Sequence, residues 1–261
     1  MKTALRRFFV VASFSSCFFI LFGCASSPNT SKSVSKQERT KMLLSIAAAN
    51  VTENDTTGAL QVLGQVHELD DGIPEEYYLY ALAYLGKNEI KLATDSARHA
   101  IQLAPQYSAA KNTLGKLLLD QGKYAEAEKL LLEAAKDLLF RDTYLPKTNL
   151  GILYYQKGAL ETADTWLSHA IKDGGALVCL AYYYRGKVRS DTNRLLEAER
   201  DFSQSSRGGC SGMSDTHIAF GKTLIREKKY DQARAKFIEI QRLFPSSDAS
   251  DQATQYLREI P

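Results

Sequence analysis

Few side chains in this sequence could do chemistry, and their spacing points away from turnover. Four histidines, His67, His99, His169 and His217, are scattered, and no pair stands at a metal-ligand spacing beside a carboxylate. His99 and His169 recur just before Ala100 and Ala170, which fits a partly exposed helix face rather than a site. The run Gly208-Gly209-Cys210-Ser211-Gly212 superficially suggests a nucleophile turn. It lacks the strand–turn–helix setting such a serine needs. No phosphate loop or dinucleotide fingerprint occurs. What remains is thiol chemistry at Cys17, Cys24, Cys179 and Cys210, covalent but not catalytic. The chain is therefore expected to be no enzyme, with no metal and no small-molecule substrate.

The elements that carry these residues repeat. Alanines at 59, 93, 127, 163, 198 and 233 are spaced 34, 34, 36, 35 and 35 residues apart. Such a period marks stacked helical hairpins, units that bury their apolar faces only against neighbours. Twelve residues before each alanine stands a small residue: Ala47, Ala81, Gly115, Gly151, Gly186 or Gly221. Four residues after it comes Leu63, Leu131, Leu167, Phe202 or Phe237, with Ala97 the exception. The 3 and 4 spacings put the B-helix positions on one face. The small A-helix residue lets the two helices approach closely, and a turn containing Gly122 or Gly158 separates them.

This pattern resembles the tetratricopeptide repeat. The third copy, Leu114-Gly115, Leu118, Gly122, Tyr124, Ala127, Leu131 and Ala134, is nearly the family consensus. The sixth, with Phe220-Gly221, Leu224, Tyr230, Ala233, Phe237 and Pro245, follows it too, and the second ends on the matching Pro105. The resemblance implies an all-α, right-handed superhelical solenoid of six hairpins over residues 39–247. A final helix at 248–261 (Ala253, Leu257, Ile260) would cap it. Repeat five departs most. Arg185 and Arg189 replace apolar residues there, so its first helix is expected to be shifted or packed differently.

Residues 1–23 read as an export signal. Arg6 and Arg7 precede an apolar core, Phe8 to Phe22, too short to span a bilayer comfortably. The ending Leu21-Phe22-Gly23-Cys24 looks like a bacterial lipobox, in which Cys24 receives diacylglycerol and becomes the mature N-terminus. By that resemblance the expected covalent group is acyl lipid on Cys24. Ala25, in place of an aspartate, implies lipid anchoring in the outer membrane of a Gram-negative cell, facing the periplasm. The polar stretch up to residue 38, rich in serine, reads as a tether. Cleavage would remove Lys2, Arg6 and Arg7 and no acid. The 33 basic and 30 acidic residues of the chain would become 30 and 30, leaving no basic excess for nucleic acid.

Cys179 and Cys210 then remain as an even pair in an exported protein. They open helix A and follow helix B of repeat five. These ends meet if the helices are antiparallel, so a disulfide is expected, worth roughly 3–4 kcal/mol by loop entropy.

In tetratricopeptide solenoids the A helices line a concave groove. Carried over, the groove positions here are Tyr78, Leu82, Leu85, Asn112, Lys116, Leu119, Ile152, Tyr155, Tyr183, Lys187, Ile218 and Lys222. Aromatic and aliphatic residues beside isolated cations would suit a peptide or amphipathic helix. The basic partners that chaperone-tail clamps place around an Asn112-like residue are missing. Signal, lipobox, tether, six repeats and a late cysteine pair together resemble the type IV pilus biogenesis and stability lipoproteins, the pilotins of the PilF, PilW and Tgl kind. That resemblance implies an outer-membrane lipoprotein that binds pilus secretin subunits and promotes their multimerisation, supporting pilus assembly and surface motility. Two other readings stay open at this stage. One is a lipoprotein of the outer-membrane β-barrel assembly machinery, the other a periplasmic scaffold for cell-wall enzymes, suggested by Phe244-Pro245-Ser246-Ser247.

Overall fold

The computed structural model describes residues 35–175 and 178–261. The expected signal, the acylated Cys24 and the tether up to residue 34 lie outside the described residues. Thirteen helices follow one another among them: α1 (Lys36–Thr52), α2 (Thr56–Leu69), α3 (Pro74–Gly86), α4 (Ile90–Leu103), α5 (Ser108–Asp120), α6 (Tyr124–Lys136), α7 (Tyr144–Gln156), α8 (Leu160–Gly174), α9 (Cys179–Asp191), α10 (Leu195–Ser205), α11 (Ser214–Arg226), α12 (Tyr230–Leu243) and α13 (Asp248–Glu259). Odd-numbered helices α1 to α11 are the A helices and even-numbered ones the B helices of six hairpins. The expected solenoid is the observed one. Its start differs: Lys36–Glu38, assigned above to the tether, already belong to α1. Lys-Gln-Glu-Arg is good helix-forming sequence, and Glu38 in the first turn suits the helix dipole.

Each hairpin is held by the contact its sequence pattern implies. A methyl placed on Gly115 would sit 2.7 Å from Leu131, on Gly151 2.4 Å from Leu167, on Gly186 2.6 Å from Phe202, and on Gly221 2.6 Å from Phe237. The missing side chain on A is thus the seat of the bulky one on B. The six repeat alanines and these bulky partners are essentially inaccessible to solvent. Capping α13 covers the last hairpin by stacking Tyr256 on Phe237, ring centroids 5.0 Å apart, and by burying Ala253 and Ile260.

All six A helices end the same way. The residue five before the repeat alanine has positive φ: Asn54, Asn88, Gly122, Gly158, Asn193 and Lys228. Its N–H bonds back three residues, and the following N–H bonds back five, as in Gly122 to Leu119 (3.0 Å) and Lys123 to Leu118 (2.9 Å). This double bond is the Schellman cap, which satisfies the orphan carbonyls and turns the chain into helix B. Glycine and asparagine tolerate that conformation; Lys228, at φ 59°, does not.

Repeat five is not shifted. Gly186 seats Phe202 in register with the other copies. The two arginines are accommodated by a buried acid that the pattern did not single out. Arg185 grips Asp201 with both Nε (2.9 Å) and Nη2 (2.7 Å), and Arg189 Nη1 reaches the same carboxylate at 2.9 Å. Asp201 is 2% exposed. Asp164 of the preceding repeat takes Arg189 Nε at 3.2 Å, tying repeats four and five. Cys179 and Cys210 are joined by a disulfide, Cα atoms 5.4 Å apart, that closes the same hairpin.

Two expected outcomes follow. Lys228→Gly should raise stability in urea titration by about 1 kcal/mol, because left-handed backbone penalises lysine, whereas Asn193→Gly should change it little. Asp201→Leu should lower stability by roughly 3–5 kcal/mol, since both guanidinium groups lose their buried partner.

Candidate partner-binding groove

Consecutive A helices touch one another directly (α1 with α3, and so on to α11 with α13), while B helices make no comparable contact. The A side is therefore the tighter, inner side of the curve, and its exposed positions form the groove. The twelve residues assigned to it do not all reach solvent. Leu119 and Ile152 are 1% and 4% exposed and pack between repeats, which corrects their assignment as contact residues, whereas Ile218, 8% exposed, still lines a cleft between α9 and α11. On a tightly stacked A layer, an aliphatic side chain facing the next helix is covered by it. Leu82 and Leu85 are half-buried. Tyr78 lies against Tyr107, centroids 5.1 Å apart, and burial pushes its hydroxyl pKa up. Asn112 accepts a 2.9 Å hydrogen bond from Asn149 Nδ2, and Lys116 is ion-paired to Asp120, so both already have partners.

The remaining four assigned residues converge at the C-terminal end of the groove. Lys187 Nζ lies 4.8, 5.2 and 5.5 Å from the ring centroids of Tyr155, Tyr184 and Tyr183. An ammonium so placed is attracted to the negative faces of the rings. Tyr155 donates a 2.8 Å hydrogen bond from its hydroxyl to Asp191 Oδ2. Burial, reinforced by this carboxylate, pushes the Tyr155 pKa up; burial and then Asp215 push Tyr183 to about 12. All these hydroxyls thus remain protonated donors at any physiological pH. Beside the cage, between α9 and α11, opens a cleft of about 380 Å³ lined by Tyr183, Asp191, Asp215, Lys222 and Arg226 among others. Lys222 stands exposed at its rim. Arg226 is fixed by its Nη1, which donates to the Ser190 carbonyl at 2.9 Å and hydroxyl at 2.6 Å.

The cleft thus offers apolar rings, an exposed cation and fixed charges of both signs, suited to an extended or helical peptide segment. Tyr184, Asp191, Asp215 and Arg226 were missed by reading from repeat positions alone. The spacing does not single out Asp191, because the repeat position of Tyr155, eight residues before the alanine, falls on Ser190 in repeat five.

The histidines serve packing. His67 Nδ1 lies 3.0 Å from buried Glu76, His99 packs at a tilt against Tyr77 with centroids 4.1 Å apart, His169 meets Trp166 edge-on, and His217 is buried with Nε2 3.1 Å from the Ser211 carbonyl. Among the described residues no group of three or more His, Cys, Asp or Glu could hold a metal ion.

No protein-family profile matches the chain. Its sequence is 21% identical over 213 residues to the type IV pilus assembly protein PilF of Pseudomonas aeruginosa, covering 81% of this chain and 83% of that protein. The solved structure of Pseudomonas aeruginosa PilF superposes with a TM-score of 0.73 at 18% identity, over 86% of this chain and 99% of the other. That of PilW, a type IV pilus biogenesis factor, gives 0.73 at 16% identity, over 82% and 98%. The fold is a tetratricopeptide solenoid. YrrB, a tetratricopeptide protein with a peptide-binding site, superposes with a TM-score of 0.52 at 17% identity, over 74% of this chain and 97% of the other.

Replacing Lys187 with Met should lower stability by about 0.5–2 kcal/mol in chemical denaturation, as three rings lose their shared cation. Lys222→Met, whose nearest ring contact is a distant 6.0 Å to Tyr256, should leave stability unchanged.

Proposed function

We propose that the protein is a non-enzymatic lipoprotein of the outer membrane that binds pilus secretin subunits and promotes their assembly into a ring. The observation that carries this reading is the nearly full-length sequence similarity to a type IV pilus assembly protein of comparable size, rather than to one repeat or one motif. The Leu21-Phe22-Gly23-Cys24 ending supports the lipid anchor, and the cleft between α9 and α11 supports a protein segment as the ligand.

The mechanism is physical. Acyl chains on Cys24 hold the solenoid at the bilayer; one chain binds only marginally, so stable anchoring takes more than one. The groove captures a segment of the secretin subunit. Anchoring both on one surface converts subunit encounter into a local event at raised effective concentration. No bond is made or broken, so the protein acts by placing its partner.

In a strain lacking this protein, secretin should be found as monomer, and it should return to heat-resistant multimers when the wild-type gene is restored. Restoring the gene with Cys24→Ser should give a soluble periplasmic protein and little multimer. Normal multimers in the deletion strain, or full function from the Cys24→Ser chain, would contradict the reading.

A further inference from the structure

The turn between α6 and α7 presents two leucines to solvent. Leu138 and Leu139 are 98% and 92% exposed, while the next most exposed large apolar side chain among the described residues, Leu196, is 62%. The turn is built rather than slack. Asp137 Oδ1 accepts the Leu139 N–H at 2.9 Å, its backbone carbonyl accepts the Phe140 N–H at 3.2 Å, and its Oδ2 accepts the Ser108 hydroxyl at 2.5 Å. These bonds hold Asp137 back against α5 and push the leucine pair outward. Charges of both signs flank the pair: exposed Lys136 and half-buried, hydrogen-bonded Asp137 on one side, exposed Arg141 and Asp142 beyond Phe140 on the other. Fully solvated neighbouring leucines on an ordered turn are apolar surface kept for a partner.

We infer that the Leu138–Leu139 turn inserts into the headgroup and upper acyl region of a phospholipid bilayer, as a second contact that orients the solenoid on the membrane. This rests on the proposed membrane-anchored reading. The tip is two side chains wide, far below the roughly 800 Å² per partner that a specific protein interface buries. A narrow apolar wedge with Lys136 and Arg141 within reach of lipid phosphates is suited instead to the boundary of phosphate and hydrocarbon. Position agrees. In alternating antiparallel helices, the C-termini of B helices and the N-termini of A helices share one edge of the solenoid. The turn after α6 lies on that edge, and so does Lys36, where the chain arriving from Cys24 enters α1. The twelve residues from Cys24 to Lys36 reach at most ~40 Å, so an anchored chain enters the solenoid on this edge within that distance of the bilayer. One acyl anchor fixes distance but not orientation; a second contact fixes both.

The test uses the chain from residue 25 with an N-terminal hexahistidine, held on phosphatidylethanolamine/phosphatidylglycerol vesicles by nickel-chelating lipid. Trp166, the single tryptophan, is changed to Phe so that an introduced one reports alone. Leu139→Trp is expected to shift its emission to the blue and to be quenched at least roughly twofold by bromine on the acyl chains. Ile238→Trp, in the middle of α12, is expected to do neither. The inference is overturned if Leu139→Trp behaves as it does in free solution, if Ile238→Trp is quenched equally, or if Leu139→Trp responds to added secretin but not to vesicles. Because the tag replaces the acyl group, none of these outcomes depends on Cys24. Absence of lipid on Cys24 in cells would instead count against the proposed anchoring alone.

Discussion

Repeats three to six of this protein depend on one contact: a Leu or Phe of helix B seated where helix A lacks a side chain. Gly115, Gly151, Gly186 and Gly221 remove the methyl that would hold the helices apart, and Leu131, Leu167, Phe202 and Phe237 fill the space. The contact fixes the distance between helices within a hairpin, and the Schellman turn at its end fixes the reversal. The turn recurs in all six hairpins and the seat in four, with Ala47 and Ala81 as the small residue in the first two, and together they produce the stacked A layer. The inner surface is thus a consequence of packing in the hairpins, and the cleft at α9 and α11 inherits its geometry from Phe202 beneath it.

Repeat five shows how far such a frame tolerates departures. Two arginines stand at positions where apolar residues are usual, yet the helix keeps its register because Asp201 and Asp164 neutralise and orient them. The disulfide closes the same hairpin. A buried ion cluster of this kind adds little net stability compared with a well-packed apolar one, but losing one member is severe. Lys187, with two of the three tyrosines around it, sits on the same helix, two residues from both Arg185 and Arg189 and therefore on the opposite face. The least regular repeat carries the most distinctive surface.

The hairpins were legible because alanine and glycine spacing reports a backbone distance, which any sequence in this fold must respect. The six caps were only partly legible. Gly122 and Gly158 announced themselves, but Asn54, Asn88, Asn193 and Lys228 adopt the same conformation with side chains that do not demand it. The groove was least legible. A repeat position tells which face a residue takes, not whether the next repeat covers it, and so Leu119 and Ile152 were placed on a surface they do not reach. Tyr184 and Asp215 escaped for the opposite reason: the twist between α7, α9 and α11 brings into one cluster residues at different repeat positions. Asp201 was hidden because an acid at an inward position makes sense only beside the arginines it binds.

The proposed role rests on the inner curve, and not the outer one, holding the secretin segment. The most direct measurement is photocrosslinking in living cells from a light-activated residue placed at Lys222, at the cleft rim, and at Leu196, on the exposed side of helix α10. The account predicts a secretin adduct from position 222 and none from 196. Adducts from 196 alone, or from neither position while secretin still assembles, would contradict it.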